Sequence, residues 1–523
     1  MTSPLRCAGV ILRLRPGAAP AFAAAARRAL GDELELRPLF PNAAASRGLA
    51  AAPGQAEWAL AAFEGEPREV NGWEEAYRTV ERLGLGAAGG AVEYAEPDLV
   101  QAFPAFPPGE AGALAAGARG DGTFDDEDPS LPRGGSFAWF LGPGYADLRA
   151  AREAAGEGAG ATILHVDTGY SAHDTKPSAL LEAYARDFEG GGERKGAVDP
   201  GIDGLLRQPG HGTGTISILA GRRIPQLAND WLGGAPRAEV IPVRIASSVV
   251  LFRTSALARA LDYALRPYDG PDAAHPGDVR PPVDVVTLSM GGVASRAWAE
   301  AVNAAYEAGV CVVAAAGNNF ALGPFGVPTR FIVHPARFGR VIAACGIMAN
   351  WRPYFGLPTG KMQGCWGPPS KMATALAAFT PNMPWAEMGA PQVVDMNGAG
   401  TSSATPQVAA AAALWIAAHR PALQALAEPW RRVEAVRHAL FTSAEHPSDP
   451  EVAEKIGRGV LQARAALAVA PVATLPMTPC DTASLSLLRV LTGLGAAPDP
   501  RLEMLALEAT QLTQLPVADG EPN

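Results

Sequence analysis

Four side chains of this chain are of the types that make and serve a nucleophile: Asp167, His211, Asn318 and Ser402. Ser402 lies in Gly400-Thr401-Ser402-Ser403-Ala404-Thr405-Pro406, just ahead of the apolar run from Val408 to Ala418. That run is too apolar to face water on any side, so the serine opens a buried helix. Unpaired N–H groups and the positive end of the helix dipole favour negative charge developing there. Pro406 is compatible with the first turn of such a helix. Capping alone would explain Thr-Ser-Ser, but it would not explain the partners found elsewhere. A serine hydroxyl is a poor nucleophile at neutral pH unless a base takes its proton. Histidine, with an ordinary pKa of about 6.5, can take that proton and return it to a leaving group. A buried carboxylate fixes the histidine tautomer and steadies the imidazolium. A side-chain amide can donate to an oxyanion.

Each of the four is expected at an element end beside glycine. Ala161 to Val166 reads as a short buried strand running into Asp167-Thr168-Gly169. A carboxylate there sits rigidly at the mouth of an α/β sheet. Gly210-His211-Gly212-Thr213-Gly214-Thr215 opens a helix that continues to Ala220 and stops at Gly221. Val310 to Ala316 is a second buried strand and ends at Gly317-Asn318-Asn319, and Val283 to Leu288 is a third, ending at Ser289-Met290-Gly291-Gly292. Further alternation (Glu239 to Ile245, Ser255 to Leu265, Arg296 to Ala308 with Ser295 as cap) predicts a mostly parallel sheet with helices on both faces. Helices are also expected over Tyr145 to Glu153 and Trp430 to Phe441. His165, two residues before Asp167, reads as a satisfied core histidine.

Asp-Thr-Gly, His-Gly-Thr, Ala-Ala-Gly-Asn and Gly-Thr-Ser-x-Ala-x-Pro, in that order, resemble the subtilisin-like serine peptidases, or subtilases. The resemblance implies a three-layer α/β catalytic domain, with Ser402 as nucleophile, His211 as general base and acid, and Asp167 as its orienter. It makes Asn318 the oxyanion donor and Ser289, Met290 and Gly291 the strand that pairs with an extended polypeptide substrate. The implied enzyme is a serine endopeptidase that needs no cofactor. Gly214 and Gln407 depart from the family pattern at positions that bear on substrate fit. Residues Ala321 to Asn397, with Trp351, Trp366 and Trp385, are longer than a minimal subtilase needs and are expected as extra loops around the cleft. The alternative is a binding or scaffold protein on the same fold, to which a lost catalytic residue would point; none is lost. An α/β-hydrolase would require a Gly-x-Ser-x-Gly elbow and the order Ser, acid, His, which this chain contradicts.

At 523 residues the chain should hold more than one domain. A net charge of −10 argues against nucleic acid as the main partner, since phosphate binding needs a basic surface. Cys7, Cys311, Cys345, Cys365 and Cys480 show neither metal-ligand spacing nor a disulfide framework. No apolar stretch near Met1 is long enough for a signal peptide, and none elsewhere for a membrane span. The expectation is a cytoplasmic enzyme, with export by another route left open.

Residues 1–103 read as β-α-β-β-α-β: strands at Val10 to Leu14, Glu33 to Arg37, Trp58 to Phe63 and Val92 to Ala95, with helices over Ala19 to Leu30 and Trp73 to Leu83, the latter capped by Asn71. This is a small α+β, ferredoxin-like pattern. Ahead of a subtilase it implies a prodomain that inhibits the enzyme. Residues 104–135 read as an acidic Pro/Gly linker; its Asp125-Asp126-Glu127-Asp128 run has no regular ligand spacing, and structural calcium, which the resemblance leaves open, is assigned to no residues. Residues 136–470 are the expected catalytic domain. Residues 471–523, with short helices at Ala483 to Leu494 and Leu502 to Leu512, form a C-terminal extension without an assigned role.

Overall fold

The computed structural model describes residues 5–15, 34–46, 57–63, 65, 67–68, 70–82, 92–101, 137–202, 208–249, 253–266, 283–320, 331–357, 361–483 and 500–512. The first sheet is built from β1 (Leu5–Leu14), β2 (Leu34–Pro38), β3 (Glu57–Phe63) and β4 (Val92–Gln101). Its order is β2-β3-β1-β4, and every neighbouring pair is antiparallel. With β1 and β3 in the middle, this is the ferredoxin-like arrangement. Helix α1 (Pro41–Ser46) links β2 to β3, and α2 (Gly72–Arg82) packs on β1 and β4. Asn71 caps α2 as expected, its Oδ1 accepting from Trp73 N at 3.0 Å. The helix expected over 19–30 and the linker 104–135 lie outside the described residues. β4 runs past Ala95 to Gln101 and so carries Glu96 and Asp98, a difference that matters below.

The second part is organised around eight strands. In chain order its elements are α3 (Leu148–Ala154), β5 (Thr162–Asp167), β6 (Arg186–Asp187), β7 (Arg194–Lys195), α4 (His211–Ala220), β8 (Glu239–Arg244), α5 (Thr254–Tyr263), β9 (Val285–Leu288), α6 (Arg296–Glu307) and β10 (Cys311–Ala315). Then come β11 (Asn318–Phe320), β12 (Val341–Ile347), β13 (Met362–Gly364), β14 (Ala375–Phe379), β15 (Met383–Ala386), β16 (Val394–Gly398), α7 (Thr401–Gln424) and α8 (Trp430–Thr442). The sheet order is β14-β12-β10-β9-β5-β8-β6-β7, parallel throughout except for β7. Helices cover both faces, which is why β5, β9, β10, β12 and β14 are buried along their whole lengths rather than alternately. α7 packs on α4 and beneath β9, β10, β12 and β14, while α5 and α6 pack on each other. Asp167 ends β5, Ser289 follows β9, and Gly317-Asn318 follow β10. All three therefore lie at the carboxyl edge of the sheet, where parallel sheets hold their ligands.

Two expectations need correction. The stretch 321–397 is not simply loop, since it supplies the core strands β12 and β14. Val341-Ile-Ala-Ala-Cys-Gly-Ile and Ala375-Leu-Ala-Ala-Phe carry the same all-apolar signature as β10, overshadowed in the sequence by the surrounding tryptophans and prolines. Among the described residues, the antiparallel pair β11–β13 and the hairpin β15–β16 lie outside the main sheet. Pro406 also lies in the second turn of α7, because the helix begins at Thr401. Finally, α9 (Pro500–Leu512) covers the second of the two C-terminal helices expected; residues 484–499 lie outside the described residues.

Candidate active site

Asp167 and His211 meet because β5 and the first turn of α4 face each other. Asp167 is wholly buried, and its Oδ1 accepts from His211 Nδ1 at 2.7 Å and from Thr168 N at 2.8 Å. Its Oδ2 accepts from the Thr215 hydroxyl at 3.0 Å. Burial alone would raise the carboxyl pKa. The His211 imidazole and its hydrogen bond outweigh burial and hold the pKa below the usual range. At neutral pH the carboxylate is therefore charged, and His211 is held with its proton on Nδ1, leaving Nε2 as the basic nitrogen. His165, on the same strand, is 2% exposed and bonds Thr215 Oγ1 through Nε2 at 2.8 Å. Burial pushes its pKa down to about 4, so it is neutral.

Ser402 sits in the first turn of α7, a helix that packs on α4. Its hydroxyl donates to the Ser289 carbonyl at 3.3 Å. Pro406 has no N–H for the Ser402 carbonyl, and the Ser289 hydroxyl supplies the donor instead, at 3.0 Å. Proline and Ser289 together thus tie the serine's backbone to the end of β9. Gly400 has φ 76°, and a Cβ there would lie 2.8 Å from Asn318 Nδ2, so glycine is required for the amide to approach. The orientation of that amide is fixed by chemistry. Thr401 N–H can only donate, so the atom 2.8 Å from it must be Asn318 Oδ1. Nδ2 is thereby turned toward Gly400, next to a helix N-terminus.

The cleft is shaped by Trp385, expected in a loop around it but not beside the histidine, and by Val333, which the sequence did not single out. A Cβ at Gly214 would lie 1.8 Å from the Trp385 ring, which also meets His211 edge-on at a centroid distance of 5.5 Å. Gly214 is therefore small because the β15 tryptophan occupies the space beside the histidine. Val333 wedges between the ends of two strands: a Cβ at Gly291 would lie 2.2 Å from its Cγ2, and one at Gly317 3.0 Å from both methyls. Neither residue has a motif around it, and only the pairing of a large residue with a distant glycine would have signalled it.

The comparisons with known proteins agree with this geometry. The model of the subtilase family matches residues 158–459. The chain belongs to the subtilase family. It is 27% identical to subtilisin DY of Bacillus licheniformis over 264 residues, covering 49% of this chain and 77% of that protein. Over 113 residues it is 34% identical to the subtilisin-like proteinase Mp1 of Magnaporthiopsis poae, covering 21% and 24% of the two. Fervidolysin from Fervidobacterium pennivorans shares the fold, with a TM-score of 0.55 at 17% identity over 92% of this chain and 63% of that one. As a member of this family the protein is a serine endopeptidase, and its substrates are polypeptides.

In this subtilase the N-terminal sheet is joined to the catalytic domain by buried carboxylates. Glu96 on β4 accepts from the Arg296 and Ala297 N–H groups at 3.0 Å each and from the Ser295 hydroxyl at 2.9 Å, all at the start of α6. Asp98 takes Ser255 N–H and Oγ at 2.8 Å each, at the start of α5, together with Arg253 Nε at 2.7 Å. In the reverse direction, Asp262 on α5 accepts from Asn42 N at 3.0 Å and Ala43 N at 2.8 Å, at the start of α1. Each carboxylate satisfies orphan donors at a helix N-terminus. α9 spans both parts: Gln511 accepts from Trp73 Nε1 at 2.9 Å and donates to the Ala294 carbonyl at 2.7 Å, and Glu503 pairs with Arg296. Among the described residues no helix is long and apolar enough to cross a membrane, and no cluster of three or more His, Cys, Asp or Glu suits a metal ion.

Proposed function

We propose that this endopeptidase cleaves peptide bonds through Asp167, His211 and Ser402, by way of an acyl-enzyme. The observation that carries the reading is the buried 2.7 Å bond between Asp167 and His211, at the carboxyl edge of the sheet, with His211 on a helix, α4, that packs against the Ser402 helix. His211 Nε2 takes the Ser402 proton as Oγ attacks the scissile carbonyl, Asp167 stabilises the imidazolium, and the proton passes to the leaving amine. Water then repeats the sequence to release the acyl group. Asn318 Nδ2 and the Ser402 backbone N–H receive the oxyanion. Nucleophile, base and oxyanion donors are all protein groups, so no cofactor enters the scheme.

Ser289, Met290 and Gly291 continue β9 past the sheet and offer an edge to which an extended substrate adds as a strand. With Val333 filling the space between Gly291 and Gly317, a small side chain before the scissile bond fits best. Residues up to 103 act as an intramolecular inhibitor, a reading supported by the three carboxylate caps that seat the N-terminal sheet on α5 and α6. The test is labelling with a fluorophosphonate together with peptide hydrolysis. The parent protein should react at Ser402 and the Ser402→Ala variant should lose both, with its fold intact. Hydrolysis retained by the variant near the parent rate overturns the assignment, and a parent that neither labels nor cleaves favours a binding protein on this fold.

A further inference from the structure

β5 and α4 meet with matching repeats. Side chains on one face of a strand recur every second residue, about 6.6 Å apart, and those on one face of a helix recur every fourth, about 6 Å apart. His165 and Asp167 on β5 therefore face Thr215 and His211 on α4 as two rungs. One rung is the Asp167–His211 bond at 2.7 Å, and the other is His165 Nε2 to Thr215 Oγ1 at 2.8 Å. A diagonal joins them, the Thr215 hydroxyl to Asp167 Oδ2 at 3.0 Å. All four side chains are buried.

We propose that His165 and Thr215 are positioning residues for the hydrolytic reaction: His165 orients the Thr215 hydroxyl, which locks the Asp167 carboxylate so that Oδ1 faces His211. The proposal rests on the triad reading. Thr168 N–H and His211 both engage Oδ1, and two donors on one oxygen leave the carboxylate free to rock about its Cβ–Cγ bond. The Thr215 hydroxyl, on the other oxygen, stops that motion. Threonine has one proton and two acceptors within reach, Asp167 Oδ2 at 3.0 Å and the Gly212 carbonyl at 3.3 Å. A carboxylate is the stronger acceptor, and a donor on the far side of the hydroxyl removes the remaining choice. His165 Nε2–H is that donor. If Thr215 instead donated to His165, a charged oxygen would be left without a partner inside the protein. Neutrality of His165 matters too. Its Nε2 is 3.9 Å from Asp167 Oδ2, so a protonated ring would compete with His211 for the same charge. Burial, which depresses the His165 pKa to about 4, prevents this.

The test uses the full chain, with kcat and KM measured on one peptide substrate and active enzyme counted by phosphonate labelling. Thr215→Val keeps the shape and removes the hydroxyl. It is expected to lower kcat by roughly 10- to 100-fold with KM unchanged, and Thr215→Ser is expected to restore kcat to within about threefold. His165→Leu is expected to lower kcat less than Thr215→Val does. The double variant should be no worse than Thr215→Val alone, because His165 acts only through the hydroxyl. His165→Gln keeps a terminal N–H donor and should hold kcat near the parent value, which also tests the proposal if the leucine variant does not fold. Unchanged kcat in Thr215→Val, additive losses in the double variant, or a His165→Gln loss as deep as that of Thr215→Val overturns the proposal. A parent unlabelled at Ser402 removes the triad reading itself, whereas a labelled parent with an active Thr215→Val variant removes only this inference.

Discussion

Asp167 and Glu96 are both carboxylates with no exposed surface, yet burial leaves them in opposite states. Burial opposes the charge of Asp167, and the His211 imidazole beside it more than compensates, so its pKa falls. Glu96 has more hydrogen bonds, from Ser295, Arg296, Ala297 and Tyr94. Its donors are nevertheless dipoles, and burial wins: its pKa is raised despite them. Asp262, held by Asn42 and Ala43 at the same interface, is likewise pushed up by burial, to about 6. The lesson is that donors orient a buried carboxylate, whereas a group able to carry positive charge keeps it ionised. The Asp167–His211 pair is built around a charge. The docking surface between the N-terminal sheet and α5 and α6 combines one ion pair, Asp98 with Arg253, with the Glu96 and Asp262 caps, whose hold depends on pH.

The sharpest way to separate the two regions is Asp167→Asn. Turnover should fall on the order of 10⁴-fold, because the amide favours the wrong histidine tautomer, while docking of the N-terminal sheet stays unchanged. A loss of only a few-fold would mean that Asp167 is a structural carboxylate like Glu96. The converse variant, Glu96→Ala with Asp98→Ala, leaves the starts of α5 and α6 with unpaired donors. Protection of β4 amides from hydrogen exchange should drop on the order of 10²-fold, with phosphonate labelling of Ser402 retained. Unchanged protection would show that α9 and apolar contacts hold the sheet without the caps.

Acid should pull the two regions in opposite directions. In the folded protein His165 has a pKa of about 4, against an ordinary 6.5. The unfolded chain therefore takes up a proton first as the pH drops through 6.5, and stability falls by up to about 3 kcal/mol by pH 4. Urea unfolding at pH 7 and 4.5 should show this loss, and His165→Gln should flatten it; identical pH dependence in the two proteins would rule His165 out as the cause. Asp262 has the opposite sign. Its docked value of about 6 lies above the ordinary 3.8, so its contribution to docking is full below about 3.8 and is lost as pH rises through 6. Docking should tighten by about 2 kcal/mol between pH 7 and 4, read as β4 protection factors, and Asp262→Asn should remove most of that change. Loosening in acid would break the comparison.

Much of the catalytic domain was legible in the sequence because its signals are local. β5, β10 and α4 follow directly from short apolar runs closed by glycine, and α4 begins and ends at the residues expected, His211 and Ala220. The four residues of the proposed site stand out in the sequence for the same reason, since each sits in its own glycine-flanked motif. β12 and β14 carry an equally apolar signal and were overlooked within an unusual stretch. Glu96 and Asp98 were read only as part of a closing strand, because a residue that caps a helix some 150 or 200 positions away leaves no local trace.

By itself the sequence set four residue types and their order along the chain: an aspartate, a histidine, an asparagine and a serine, each at the end of an element. Such choices are set by residue type and by the backbone within a few positions. Only the tertiary structure decided which partners share a proton. It matched the two-residue repeat of β5 to the four-residue repeat of α4, so that His165 and Thr215 stand behind Asp167 and His211. It also set Trp385 over Gly214, Val333 between Gly291 and Gly317, and Glu96 against the start of α6. Those contacts join segments far apart in the chain, and the packing that closes them is a property of the whole core rather than of any one stretch.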